Sequence, residues 1–444
     1  MLRRSRRHVT AFSNWAGNQH CRPSHVHFPR SEEDIAELLV LAAKQKAPAK
    51  VVGSGHSWSD AACTDGHMLR LDEMNGVLDI DREAGCVTVQ AGIRLCELNE
   101  QLARHGLALS NLGSISEQTI AGAISTGTHG TGVRFGSLST LVRSLRLMRA
   151  DGSVVELSRA DGDAFEAARL SLGCLGVLTR ITLRCEPAFD LEEKSFTLSF
   201  DDALDRMLSL VDDHDHVKFW WLPHTDSVFV VTMRRIPLTE TTRRRRVRNV
   251  FAGAAETMAN RGVFAALMRA GALAPSVVPS INRTVDRVYF RSRRRVDRSD
   301  RVFNLPMPPT HREMEYGIPR DVAPLALRRL RELTRTLRIV VNFVVEVRFV
   351  AHDSILLSPS FGRDSCQLGA YIGEHPHLPI YFDAFETLCR QLNGRPHWGK
   401  EFHAGADDLR QRIPGIARFV SVRRALDPNK RFDNRFARRV FGAG

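Results

Sequence analysis

The sequence predicts a two-domain α+β protein, and three observations carry that reading. The chain of 444 residues exceeds what one hydrophobic core usually serves, and 43% hydrophobic with 25% charged residues is ordinary globular composition, enough to fill two cores. Helical stripes and alternating strands are interspersed along the whole length. A glycine-rich, hydroxyl-rich character runs through the first part and ends near Glu186 and Pro187, where the domain boundary falls.

The elements follow in chain order. Ser31 precedes EEDIAELLVLAAKQK, where Ile35, Leu38, Leu39 and Ala42 recur at helical spacing and Ser31 with Asp34 forms a capping-box pattern. Lys50 to Val52 is a short apolar strand running into the loop GSGHS, and LRLDEMNGVLDID to CVTVQAG reads as alternating strands. Arg94 to His105 is a second helix, with Leu95, Leu98 and Leu102 on one face and Gly106 as its stop. The charge-poor stretch LSNLGSISEQTIAGAISTGTHGTG is too flexible and too polar for a plain core element, and it is expected to wrap something. LVRSLRLMRADGSVVEL is a hairpin turning at Asp151-Gly152, DAFEAARLSLG a helix ending at Gly173, and GVLTRITLRC a strand.

Beyond the boundary come the strand KSFTLSF, the helix DDALDRMLSLVDD and the hairpin VKFWWLPHTDSVFVVTM, turning between Pro223 and Asp226. The arginine-rich section from Thr239 to Arg301 has no clear pattern. A helix over 321–338, a strand from Ile339 to Val350, a helix near Phe382 to Asn393 and a basic tail complete the chain.

Net charge is +13, from 63 Lys plus Arg against 50 Asp plus Glu, and much of the excess lies in the runs Arg243 to Arg248 and Arg291 to Arg301. Such runs suit an anionic partner such as a membrane surface, although a solvated basic face is the simpler reading. Aromatic residues do not interleave them and no zinc-finger or RNP pattern is present, so no nucleic acid partner is expected. No apolar run is long enough to span a bilayer, and MLRRSRRHVTAFSNW lacks an apolar segment behind its arginines, so the expected location is cytoplasmic, with membrane association left to the arginine runs. The eight cysteines are scattered without a CxxC pair, as reduced thiols would be. His20, Cys21, His25 and His27, and likewise Glu374, His375 and His377, lack a second ligand pair at metal-site spacing, and no metal is expected.

The loop VVGSGHSWSD brackets one residue between Gly53 and Gly55, as a dinucleotide fingerprint does. A Rossmann loop needs a third small residue and a helix behind it; here position 58 is Trp, and turn residues follow. Successive backbone N–H groups still cradle a pyrophosphate without a helix, so a phosphate loop survives and a nicotinamide dehydrogenase does not.

GSGHSWSDAACTDG, QAGIRLCEL, NLGSISEQTIAGAISTGTHGTG, SLGCLGVLTRITL, VEVRF and RPHWGK, in that order, resemble the aldonolactone oxidoreductases of the vanillyl-alcohol oxidase flavoprotein family. The resemblance runs from about Asn14 to the C-terminus and is densest before residue 186. It implies a two-subdomain FAD-binding domain of the vanillyl-alcohol oxidase (PCMH) type over 1–186, an α+β substrate or cap domain over 187–395, and a segment over 396–444 that returns to the flavin. FAD would lie against Gly53, Ser54, Gly55 and Ser57 at the pyrophosphate, and along Gly113, Ser114, Gly122, Ser125, Thr126, Gly127, Thr128 and His129. Gly173, Gly176 and Val177 would close over the adenosine end, with His397 on the flavin side. Glycines permit that close approach and hydroxyls donate without adding charge.

The resemblance also assigns His56 a covalent bond from an imidazole nitrogen to the flavin 8α-methyl. Hydride abstraction from a carbinol needs a C–H aimed at flavin N5, a group for the hydroxyl proton, and charge to steady the developing oxyanion. Glu346 and Arg348, two apart in VVEVRF, share one strand face. By similarity Glu346 serves proton transfer or hydroxyl positioning, Arg348 orientation and electrostatic stabilisation, Lys400 the isoalloxazine, and Ser114 the substrate. Gly113 leaves room beside the flavin, which permits dioxygen as acceptor; a redox protein is the other acceptor. Near SCQLGAYIG this chain departs from that family, carrying Tyr371 where its members often have a His that contacts the substrate. The implied reaction is oxidation of a sugar 1,4-lactone of gulono-, galactono- or arabinono- type to an ascorbate-type product. An alditol oxidase acting on linear polyols is the nearest alternative, and a basic nucleic-acid-binding or scaffold protein the remote one.

Overall fold

The structure, a computed structural model, describes residues 11–237, 262–306 and 308–442. The run Arg243 to Arg248 lies outside them.

The first part holds two sheets. In a parallel three-stranded sheet, His67–Arg70 lies between His25–His27 and Ala49–Val52. Helix Glu32–Lys44 precedes the last of these, and the Ser31 side chain accepts the Asp34 N–H at 3.2 Å, as the capping pattern predicts. Strand Ala49–Val52 delivers the GSGHS loop. The second sheet is antiparallel, in the order Val154–Ser158, Val142–Met148, Val177–Arg184, Cys86–Gln90 and Val77–Asp81. Its hairpin turns at Gly152 with φ +82°, a conformation open to glycine at little cost.

Two expectations in this part are corrected. The glycine-rich stretch contains the helix Ile120–Ser125, whose N-cap Thr119 accepts the Gly122 N–H, and Ile120, Ala123 and Ile124 are fully buried. Its apolar face supplies the core contact that composition concealed. The helix expected to reach Gly173 spans only Asp163–Ala168, because the chain then turns through positive φ at Leu172 and Gly173.

The second part is an eight-stranded antiparallel sheet in the order Arg293–Arg298, Asp190–Ser199, Ser227–Ile236, His216–Trp221, Val345–Val350, Ser365–Ile372, Arg312–Pro319 and Arg395–Pro396. Helices Phe200–Asp213, Ala323–Thr336 and Leu378–Gln391 cover one face, where Phe200 meets Trp221 and Phe385 meets Tyr316. Successive strand side chains alternate between faces, so Lys218, Trp220, Glu313, Glu315, Glu346, Arg348 and Tyr371 all point away from those helices. The sheet thus presents one apolar face to its helices and one charged face to the first part.

The expected strand Ile339 to Val350 is shortened to Val345–Val350. Upstream, the backbone N–H groups of Val340 and Val341 donate to the His377 and His224 rings instead of to a neighbouring strand. The unpatterned section resolves into a helix over 262–273, the helix Val278–Tyr289 and the edge strand Arg293–Arg298. In that strand Arg294 and Arg295 pair with Glu192 and Glu193 of the adjacent strand, while Arg298 pairs with Glu100 and Asp300. Much of this basic run therefore neutralises the protein's own carboxylates.

The basic tail folds as helices Ala406–Arg412, Ile416–Leu426 and Arg435–Phe441. Asn434 caps the last one and donates its amide to the Ala61 and Cys63 carbonyls at 2.9 Å, so the C-terminus braces the segment after the GSGHS loop. One apolar cluster runs through both parts, from Ile35 to Phe441. The eight cysteines form no disulfide, and among the described residues no helix is long and apolar enough to cross a membrane.

Candidate active site

Two cavities meet beneath the charged sheet face. The first, of about 110 Å³, is lined by Gly53, Ser54, Gly55, Gly122, Ser125, Thr126, Gly173 and Gly176 among others. The second, of about 450 Å³, is lined by Gly113, Ser114, Thr128, His129, Glu346, Arg348, His397 and Lys400 among others. His56, Ser57, Gln118 and Thr126 line both, so the two adjoin, and together they are termed the channel. Its geometry fits FAD. At Gly53 a Cβ would collide with the Thr119 hydroxyl, so only glycine leaves that wall free, and Gly55 holds φ +71°. No lysine or arginine is among the described residues lining the first cavity, so backbone N–H groups and hydroxyls are what it offers a pyrophosphate. His56 stands at the junction; its Nδ1 is buried and has no hydrogen-bond partner among the described residues. Burial lowers its basicity, with Arg94 and Lys400 adding to the effect and Glu117 opposing it, which favours the neutral ring and a free lone pair.

The floor of the second cavity is an ionic lattice. Glu346, 4% exposed, accepts from the Trp220 indole N–H at 2.8 Å and from the Tyr371 hydroxyl at 2.6 Å, and Arg348 Nε lies 3.3 Å from it. Burial opposes its ionisation, but Arg348, Lys218 and those two hydrogen bonds prevail and hold it below the usual carboxylate range. Arg348 also donates to Glu315 at 2.5 Å, and its charge is held firmly despite burial, because Glu346 and Glu315 flank it. Lys400 pairs with Glu313, and its Nζ sits 4.1 Å from the centre of the Trp58 ring. The backbone supports that placement: the Trp58 N–H donates to the Gly399 carbonyl, and the Ser59 hydroxyl to that of Trp398, each at 2.8 Å.

His129, Glu315 and His397 bring their ligand atoms within 4.8 Å of one another, a spacing compatible with a metal. Hydrogen bonds account for it instead. His129 Nε2 meets Glu315 at 2.6 Å and its Nδ1 the Gly130 carbonyl at 2.9 Å, while His397 Nδ1 accepts the Gly399 N–H at 3.1 Å. Burial pushes His397 down to about 3, so it is neutral, and Arg348 on Glu315 would repel a dication. The trio ties the glycine-rich stretch to the sheet.

The channel thus gathers most of the residues singled out from sequence. Gly127 and Val177 line neither cavity. Gly127 turns the chain at φ +77° against Leu170, and Val177 is a core residue of the strand Val177–Arg184. Sequence reasoning missed Glu313, Glu315, Lys218, Trp220, Trp58 and His311. REMEYGIP carries two acids two apart, the same pattern that singled out Glu346 and Arg348, and that signal was there to find the first two. Tyr371, noted only as a departure, holds Glu346 in place.

Residues 23–158 match the FAD binding domain family, so fold and site together are those of an FAD-dependent oxidoreductase. Among solved structures, a solvent-stable cholesterol oxidase superposes with a TM-score of 0.77 over 96% of both chains; at 17% identity it shares the fold alone. Residues 181–440 match the family described as D-arabinono-1,4-lactone oxidase. Over 434 residues the chain is 39% identical to the L-gulono-1,4-lactone dehydrogenase of Mycobacterium tuberculosis, covering 97% of this chain and 99% of the relative. It is 37% identical over 438 residues to the L-gulonolactone oxidase of Mus musculus, covering 97% and 98%. The chain belongs to the D-arabinono-1,4-lactone oxidase family.

Proposed function

We propose that this chain oxidises a secondary alcohol of a sugar 1,4-lactone of gulono-, galactono- or arabinono- type, giving a keto-lactone that tautomerises to an ascorbate-type enediol. The observation that carries this reading is the floor of buried Glu346, Arg348 and Glu313 with half-buried Lys400, beside the glycine-lined cavity. A sugar lactone is a dense array of hydroxyls, and a floor of fixed donors and acceptors is what orients one. FAD, held by the loop Gly53 to Ser57, the stretch Gly113 to His129 and the turn at Gly173 and Gly176, supplies a two-electron acceptor for hydride, and His56 is its covalent anchor.

The protein's own part is positioning and electrostatics. Glu346, fixed by Trp220 and Tyr371, holds Arg348 beside the cavity and so sets the substrate's orientation. Arg348 and Lys400 supply positive charge to the oxygen that becomes a carbonyl, in a chamber lined in part by Trp220, Phe290 and Phe343. Ser114 adds a hydroxyl to the lining. Gly113 presents no side chain there, consistent with dioxygen as acceptor; a redox protein is the other partner considered.

A linear polyol offers similar hydroxyls but no carbonyl, so the product separates the two readings. Turnover of a sugar 1,4-lactone with an artificial electron acceptor should yield an enediol that reduces a dichlorophenol dye. Accumulation of a reducing sugar from an alditol, with the lactones untouched, would contradict the proposal.

A further inference from the structure

Glu313, Glu315 and Glu346 stand around Arg348 on the charged sheet face, and their hydrogen bonds divide them. Glu315, 1% exposed, has one oxygen on His129 and the other on Arg348, and it does not line the cavity. Glu346 lines the cavity, but Trp220 occupies one of its oxygens and Tyr371 the other. Glu313 also lines the cavity and is 2% exposed; Lys400 occupies its Oε2, while its Oε1 is buried with no hydrogen-bond partner among the described residues. A buried acceptor left unsatisfied is destabilising, and an O–H donor entering the cavity is what relieves it.

We propose that Glu313 Oε1, and not Glu346, accepts the substrate hydroxyl and takes its proton as the carbinol is oxidised. This rests on the function proposed above. The O–H bond breaks and its electron pair forms the carbonyl; the proton passes to Oε1, and the C–H hydrogen leaves with its pair to the bound FAD, so the substrate loses two electrons and the cofactor gains them. Glu346 is then a positioning residue, and Lys400 keeps the Glu313 side of the cavity neutral before the transfer and cationic after it.

The charges around Glu313 suit that task. Lys400 and His397 face it from the C-terminal segment, His311 from the start of its own strand and Glu315 from two residues along it, Tyr371 from the paired strand, and Arg348 and Glu346 from the central strand. Burial opposes its ionisation, but Lys400 and then His311 outweigh burial and hold it below the usual carboxylate range. It is therefore ionised at neutral pH and a weak base. A weak base suffices, because an alcohol becomes strongly acidic as hydride departs.

The test compares holoenzymes of wild type, Glu313→Gln, Glu313→Asp and Glu346→Gln by anaerobic flavin bleaching across pH, with substrate affinity read separately from quenching of Trp58 and Trp220. In the wild type the rate falls on the acid side as Glu313 is protonated. Glu313→Gln should keep its flavin and bind substrate, yet reduce on the order of 10²–10⁴-fold more slowly, with the acid limb gone. Glu313→Asp should restore part of the rate and the limb, and Glu346→Gln should weaken binding while keeping the limb. An intact limb and near-normal rate in Glu313→Gln, or loss of the limb in Glu346→Gln instead, would overturn the assignment. If alditols rather than lactones bleach the wild type, the proposed function fails, and the same variants read with the alditol still decide the role of Glu313.

Discussion

Arg348→Ala is expected to abolish most activity and to destabilise the protein. Arg348 bridges Glu315 and Glu346 on one face of the sheet, and removing it leaves two buried carboxylates without their shared cation, on strands separated only by Ser365–Ile372. Breaking a buried ion pair from one side costs about 3–5 kcal/mol. Loss of one preformed electrostatic stabiliser lowers the rate on the order of 10²–10³-fold, and because Glu346 also loses its fixed neighbour, the upper end is expected. Flavin should stay bound, since the glycine-lined channel is untouched. The measurements are the thermal midpoint and the rate of anaerobic flavin reduction. Arg348→Lys should recover more stability than rate, because an ammonium does not reproduce the fork that spans both carboxylates. A variant with normal reduction would remove Arg348 from the reaction and leave it a structural tie.

His56→Ala should convert the flavin from acid-stable to acid-extractable. The imidazole sits at the junction of the two cavities, neutral by burial, with Nδ1 buried and unpartnered. A protonated ring would have no lone pair to give, so burial prepares the nucleophile the bond requires. In wild type, acid precipitation should carry the yellow colour into the pellet; in His56→Ala it should stay in the supernatant. The cradle around Gly53, Gly55 and Gly122 remains, so the variant should still bind FAD noncovalently. Colour left in the variant's pellet would assign the linkage elsewhere.

Local patterns in the sequence made much of this legible. The capped helix at Ser31, the Asp151-Gly152 hairpin and the shared face of Glu346 and Arg348 each follow from spacing of a few residues, and the structure has all three. What stayed hidden depends on partners far along the chain. Glu313 gains meaning from Lys400, 87 positions away, and Glu346 is fixed by Trp220, 126 positions away. The helix Ile120–Ser125 was obscured because Gly122 and its flanking hydroxyls read as loop chemistry, while its three buried apolar residues are too few to show a period. The tail read as merely basic because arginines alternate with Phe419, Phe436, Val440 and Phe441, which prove fully or almost fully buried.

One arrangement underlies the proposed chemistry: FAD in the glycine-lined cavity beside a charged floor built for a sugar lactone. Its most direct test is to add a small panel of sugar 1,4-lactones and linear alditols anaerobically to the yellow holoenzyme and follow the oxidised flavin band. Bleaching by at least one lactone, complete at one equivalent per flavin, with the alditols slow or inert, is the predicted result. Bleaching by alditols alone, or by neither class, would contradict the account of the floor.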